Sequence, residues 1–198
     1  MGFLYADGNV STNSYHISCD LHIDDIEHLE KLYSALNIFR LPRTDNKLQR
    51  CRFAISCKHI KDALIEKGCV PNKSYILKFP DENIFKSKDL IRHFIRGYFD
   101  GDGSLGLYDK PEISCLGAKE FLSKMVSYLE PRHLFSNNHS DFTFAFSFSG
   151  IKATAYLYHL YYKSTIYLDR KYQIFNKIKD CRFKENSLNL LERKLREG

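Results

Sequence analysis

The chain repeats itself, and nothing else in it restricts the possible architecture as strongly. Phe3-Leu4-Tyr5-Ala6-Asp7-Gly8 returns as Tyr98-Phe99-Asp100-Gly101-Asp102-Gly103, 95 residues later, and Ile17-Ser18-Cys19 returns as Ile113-Ser114-Cys115, 96 later. Leu29, Lys31, Ser34 and Leu36 recur as Leu122, Lys124, Ser127 and Leu129 at 93. Phe53-Ala54-Ile55-Ser56 aligns with Phe144-Ala145-Phe146-Ser147, and Ile60-Lys61 with Ile151-Lys152, both at 91. Lys73-Ser74-x-Ile76 aligns with Lys163-Ser164-x-Ile166 at 90. Six matches in one order, with an offset that drifts slowly, mark a duplication trimmed by small loop deletions. A chain of 198 residues divides into two compact units of about 100 residues each.

Both units carry the same pattern. In the first, residues 14–21 alternate as a strand, and 24–38 place Ile26, Leu29, Leu32, Tyr33 and Leu36 at helical spacing. Asp24 and Glu27 have the spacing of an N-terminal capping box. Residues 50–57 alternate again, with Cys51, Phe53, Ile55 and Cys57 on one face and Arg50, Arg52 and Ser56 on the other. The second unit answers with Phe142, Phe144, Phe146 and Phe148 opposite Thr143 and Ser147. Such alternation describes a half-buried strand with a polar outer face. Helices follow near 59–67 and 151–162, and the proline-bearing stretch 71–85 reads as the connection. The expected units are therefore 1–85 and 86–198, each ordered helix, two strands, helix, two strands, helix.

Composition narrows the setting. Hydrophobic content of 43% and charged content of 27% are globular values. No run approaches the roughly 18 apolar residues of a membrane span, and no signal peptide opens the chain. The six cysteines lack C-x-x-C pairs and zinc spacing, which fits reduced core thiols and an intracellular setting. A net charge of +6 is compatible with a polyanionic partner.

The repeated Ala/Gly-Asp-Gly element resembles the signature of the LAGLIDADG homing endonucleases. Ile95-Arg96-Gly97-Tyr98-Phe99-Asp100-Gly101-Asp102-Gly103 covers all nine positions of that motif, and Met1 to Gly8 covers eight. The resemblance runs over nearly the whole chain, including Thr165 to Tyr172. It implies a mixed α/β (α+β) fold: a duplicated αββαββα unit whose two pseudo-twofold halves form a saddle of antiparallel sheets. It also implies a monomeric enzyme that hydrolyses one phosphodiester in each strand of double-stranded DNA with Mg²⁺.

The residues give the motif a physical meaning. Gly2 and Ala6, like Gly97 and Gly101, are four apart, so each helix has a stripe of small residues along which another backbone can approach. Packed on that stripe, the two helices bring Asp7 and Asp102 together, and the following Gly8 and Gly103 suit left-handed helix caps. A carboxylate at a helix C-terminus beside its twin is disfavoured, and a divalent cation removes the penalty. The resemblance implies Asp7 and Asp102 as catalytic metal ligands with Ala6 and Gly101 beside them, and Mg²⁺ as the ion. Lys73 and Lys163, the pair that repeats beside Ser, are the expected basic residues of the two sites. Asp100 faces Tyr5 in the other copy, so it is expected to be structural. An EF-hand starting at Asp100 is excluded by Leu105 and Pro111 at positions requiring Gly and Glu.

The polar strand faces are the expected DNA contacts: His16, Ser18, Arg50, Arg52 and Ser56, then Ser104, Tyr108, Glu112, Ser114, Thr143 and Ser147. Arg can read guanine bidentately and Ser or Thr can meet several bases, although the same alternation also serves a sheet that only faces water. Tyr156, Tyr158, Tyr161 and Tyr162 read as one packed helix with Leu157 and Leu160. A non-cleaving DNA-binding regulator and an intron RNA maturase are the rival functions on the same fold. The first motif helix starts at Met1, a turn or more later than the family's, so a fragment or an internal start is expected.

Overall fold

The computed structural model describes residues 1–73, 76–128 and 144–179. The first half runs α1 (Gly2–Ala6), β1 (Asn9–Val10), β2 (His16–His22), α2 (Ile26–Ala35), β3 (Arg43–Asp45), β4 (Arg50–Ser56) and α3 (Lys58–Glu66). The second runs α4 (Asp89–Asp102), β5 (Gly103–Leu107), β6 (Pro111–Gly117), α5 (Lys119–Ser127), β7 (Phe144–Ser149), α6 (Gly150–Tyr161) and α7 (Asp169–Lys179). The first order is αββαββα. The described second half is ordered αββαβαα; Phe142 and Thr143 of the expected alternating strand, and Cys181, lie outside the described residues. Among the described residues no helix is long and apolar enough to cross a membrane.

Helices α1 and α4 meet backbone to backbone. A Cβ added at Gly2 would stand 2.0 Å from the Phe94 carbonyl oxygen, and one at Gly97 would stand 2.8 Å from the Phe3 nitrogen. One at Gly101 would stand 2.4 Å from the Ala6 Cβ. The small-residue stripes are thus the contact surface itself. The residues between them point away and fill the two cores.

Each half places an antiparallel sheet against its helices, in the orders β1-β2-β4-β3 and β5-β6-β7. Matching strands occupy matching places, because alternation sends Ile17, Cys19, Phe53 and Ile55, or Ile113, Cys115, Phe146 and Phe148, into the core. Tyr33 closes the first core: its ring lies 4.5 Å from Phe53, and its hydroxyl donates to the Ala54 carbonyl while accepting from the Ala54 amide. In the second, Phe148 meets Tyr156 of α6 at 4.5 Å. Tyr156, Tyr158 and Tyr161 are buried, while Tyr162 is exposed, so that helix packs as its spacing implies.

The connection is part of the core. Leu77 is buried, and Phe79 lies 5.2 Å from Phe94 and 5.5 Å from Phe121. Phe94 in turn meets Tyr5 of α1 at 4.9 Å. One aromatic cluster therefore joins the linker, both motif helices and α5.

Two local expectations change. The Asp24–Glu27 capping box does not form: Ile23–Asp25 is a 3₁₀ turn capped by the His22 side chain, and Asp25 precedes α2 without a side-chain cap bond. The glycines after the two aspartates are not left-handed either; Gly103 is extended, at φ −80° and ψ 148°. Their role is clearance. A Cβ at Gly8 or Gly103 would stand 2.4 Å from the carbonyl oxygen of Leu4 or Phe99, the acceptor of that glycine's own amide.

Gly97→Ala tests the helix contact. The added methyl contributes about 1 kcal/mol of helix propensity but must separate two backbones, and overpacking costs about 1–3 kcal/mol or more. A net loss of stability in chemical denaturation is expected. An Ala variant as stable as the parent would contradict the contact.

Candidate active site

The packing of α1 on α4 decides where their carboxylates go. Asp7 caps α1 in a helical conformation, φ −93° and ψ −7°, and Asp102 is the last residue of α4. The missing Cβ of Gly101 would stand 2.8 Å from Asp7 Oδ2, so the second helix makes room for the carboxylate of the first. Burial pushes the Asp7 carboxyl up to about 6, and the nearby Asp102 charge pushes the same way. Lys171, Lys73 and Arg170 oppose that shift. Asp102 is also raised by burial, against a hydrogen bond from the Tyr98 hydroxyl and the charges of Lys73 and Lys171. Tyr98 stands where the first copy has Phe3, so only one of the two carboxylates has a phenol donor.

Two lysines grip the chain behind these carboxylates. Lys73 is 8% exposed and donates to the Gly8 carbonyl. Lys171, 2% exposed on α7, donates to the carbonyls of Phe99, Asp100 and Gly103 at 2.5–2.8 Å, and burial lowers it to about 8. Each ammonium thus holds the carbonyl of the glycine after one aspartate.

Lys163 does not occupy the second position. It is exposed, with Nζ 5.3 Å from the centroid of the Tyr162 ring. The lysine that mirrors Lys73 about the carboxylate pair is Lys171. The repeat match with Lys163 follows local sequence, whereas the mirror lysine sits further on, in a helix of different spacing. A signal for it does exist: Leu168, Lys171, Phe175 and Ile178 form one helical stripe, and all four are buried. A lysine on an apolar stripe needs internal acceptors.

Asp100 is structural. It is 1% exposed and accepts from the Tyr161 hydroxyl at 2.6 Å and the Leu168 amide at 3.2 Å. Its counterpart Tyr5 donates to the Lys67 carbonyl, so both copies use this position to tie the motif helix to a later segment.

Among the described residues no group of three or more His, Cys, Asp or Glu side chains gathers as a metal site. The pair nevertheless fits a hard cation. Asp7 and Asp102, with the backbone of Ala6 and Gly101 at the helix ends, supply only oxygen donors, and Mg²⁺ is commonly held by one or two carboxylates plus phosphate and water. Burial first, and then the Asp102 charge, raise Asp7, and a bound cation would offset both.

The outer sheet faces form cross-strand rows. In the first sheet Asp20, Arg52 and Arg43 face one another across β2, β4 and β3, and His22, Arg50 and Asp45 form the next row. Arg52 is held by Asp20, with Nε and Nη2 donating to the two carboxylate oxygens at 2.5 and 2.7 Å. His16 pairs with Ser56, half-buried and exposed respectively. Ser18 departs from the expected exposed face: it is 6% exposed, hemmed between Asn9 and Ala54 on the strands either side. In the second sheet Ser104, Ser114 and Ser147 align in one row, with Gly106, Glu112 and Ser149 in the next. Tyr108 is exposed in the turn, its ring beside Gly106. Thr143 lies outside the described residues.

No family profile and no curated protein matches the sequence. Solved structures do match along its whole length. The I-LtrWI LAGLIDADG homing endonuclease bound to target DNA aligns with 100% of this chain and 95% of its own, at 10% identity and a TM-score of 0.54. The LAGLIDADG meganuclease I-AabMI bound to uncleaved DNA aligns with 98% and 95%, at 13% identity and 0.56. The I-SmaMI LAGLIDADG homing endonuclease bound to cleaved DNA aligns with 98% and 93%, at 10% identity and 0.53. The chain has the LAGLIDADG homing endonuclease fold.

The carboxylate pair has a pH signature. Asp7 in the folded state binds its proton more tightly than an ordinary carboxyl of pKa 3.8. Its contribution to stability is therefore lost as pH rises from about 4 to about 6, and stays lost above that range. Without divalent cations, Asp7→Asn should melt higher than the parent at pH 7, and the gap should close by pH 4. Melting curves across that range that stay parallel would refute the raised Asp7 carboxyl.

Proposed function

We propose that this chain is a site-specific endonuclease of double-stranded DNA that works as a monomer, each half (1–85 and 86–198) serving one strand. The observation that carries the proposal is the doubled constellation at the helix ends: two carboxylates side by side, Asp7 half-buried and Asp102 reaching the surface, each backed by its own buried lysine. A fold needs no such arrangement for stability, because bringing like charges together costs free energy. Perturbed carboxylates of this kind mark functional sites.

In this reading Asp7 and Asp102, with the backbone of Ala6 and Gly101, would hold Mg²⁺. When bound, the ion supplies Lewis-acid charge and lowers the pKa of its water. The protein's own groups do the rest. Lys73 and Lys171 fix positive charge where the phosphate gains negative charge in the transition state, and being already held by carbonyls they need little reorganisation. Tyr98 donates to Asp102, which aims the carboxylate and opposes the upward push of desolvation. The lysine assigned to the second site is Lys171 rather than Lys163.

The outer sheet faces would supply the DNA contacts. Arg50 and Arg52 suit guanine or phosphate, and Asp20 presets the plane of the Arg52 guanidinium so that less freedom is lost on binding. The row Ser104, Ser114 and Ser147 offers short hydroxyls that donate or accept. His16, Ser56 and Tyr108 border these rows.

Selection of cleaved sites from a randomised DNA library, with Mg²⁺ and with EDTA, tests the proposal. Cleavage of both strands only with Mg²⁺ is expected; specific binding without cleavage would favour a regulator. Asp102→Asn should abolish cleavage yet still shift target DNA with Ca²⁺. Lys171→Met should slow cleavage about a hundredfold or more, the scale of losing one preorganised donor, while Lys163→Met stays near the parent rate. Log affinity should fall linearly with log salt, with a slope of several units.

A further inference from the structure

Helix α7, which carries Lys171, is tied to the opposite half of the molecule. Lys31 on α2 donates to both oxygens of Asp169, at 2.7 and 2.6 Å, and to the Tyr167 carbonyl at 3.3 Å. Its ammonium also sits 4.6 Å above the Tyr167 ring, which stacks on Tyr172 at 3.7 Å. His28, one turn earlier on α2, is buried and kept neutral, its pKa lowered to about 4, so Nδ1–H donates to the same Tyr167 carbonyl at 3.1 Å. Arg170 Nε reaches the Asp25 carboxylate at 3.2 Å. Three residues of the first half therefore grasp 167–170, immediately before Lys171.

From there the connection continues to the Asp102 site. The Leu168 amide donates to Asp100, and Lys171 donates to the carbonyls of Asp100 and Gly103 on either side of Asp102. At the other site the segment after Lys73 is held across the halves by the apolar packing of Phe79, and no equivalent polar tie is found among the described residues. Lys124, the repeat counterpart of Lys31, pairs with Glu82 at 3.0 Å, but both side chains are about half exposed and Glu82 is nine residues from Lys73. An exposed pair of that kind contributes little.

We infer that Lys31 and Asp169 are positioning residues: across the boundary between the halves they hold the start of α7, so that Lys171 stays aligned at the Asp102 site. The inference rests on the endonuclease reading of Lys171, and it makes the two strands unequal. Loss of the tie should impair the strand served by Asp102 and Lys171 and spare the strand served by Asp7 and Lys73, so that a nicked product accumulates.

The test is cleavage of a target duplex with each strand labelled separately, with Lys171→Met and Lys73→Met assigning the strands. Lys31→Met and Asp169→Asn should each slow the Lys171-dependent strand about tenfold or more, as loss of an outer supporting partner does, with affinity in Ca²⁺ unchanged. The exchanged pair Lys31→Asp with Asp169→Lys should restore the rate, and Lys124→Met should change neither strand. Equal slowing of both strands, or no slowing, overturns the inference. Amide hydrogen exchange on the DNA-free protein decides independently: Leu168 and Lys171 should exchange at least about tenfold faster in Asp169→Asn, since their protection depends on the tie. Unchanged exchange refutes it. A parent protein that cuts no DNA with any divalent metal would instead count against the endonuclease reading, leaving the exchange result to judge the tie.

Discussion

Everything at the centre of this molecule depends on two helix backbones touching. Side chains normally keep helix axes about 8–10 Å apart. Here Gly2, Gly97 and Gly101 remove that spacer, so the ends of α1 and α4 arrive together with a carboxylate on each. The closeness is costly for the charges, and under the proposed function it would be useful for the same reason, since a cation shared there would be worth most where repulsion is greatest. The aromatic cluster of Tyr5, Phe79, Phe94 and Phe121 supplies the apolar burial that offsets the cost. Stability is concentrated where the site needs rigidity.

Around that contact the two halves are alike in architecture and unlike in detail. Each lysine grasps the carbonyl after its own aspartate, yet Lys73 comes from the connection and Lys171 from a helix. One carboxylate has a phenol beside it and the other does not. The first sheet presents arginines set by acidic neighbours, and the described strands of the second present a row of serines. A duplex lying across both would meet two chemically different surfaces, as an asymmetric target requires.

Much of this was legible in the residues. The duplication, the alternating strands and the paired Asp-Gly elements follow from spacing, because periods of 2 and 3.6 are backbone geometry. The small-residue stripe pointed to the helix contact, since only missing side-chain volume permits it. What spacing could not supply was tertiary. The glycines after the aspartates read as left-handed caps, but the constraint is a carbonyl 2.4 Å from where a Cβ would be. Ser18 read as exposed until its neighbours in the sheet enclosed it. Lys163 matched Lys73 along the chain, while Lys171 matches it in space, and a local repeat carries no information about which lysine a later helix turns inward.

The contact between Ala6 and Gly101 bears on symmetry itself. In a twofold dimer of identical chains both sides of an axis must carry the same residue. Two alanines would collide there, since one methyl already fills the space to 2.4 Å from the other side's missing Cβ. Two glycines would leave a void and lose the helix propensity of alanine. Joining the copies in one chain lifts that restriction, so one side supplies the volume and the other the room. The same freedom lets Phe3 and Tyr98, and Tyr5 and Asp100, differ at equivalent positions of the two halves. The fused chain is thereby committed to its own two halves, because neither would fit a second copy of itself as well as it fits its complement.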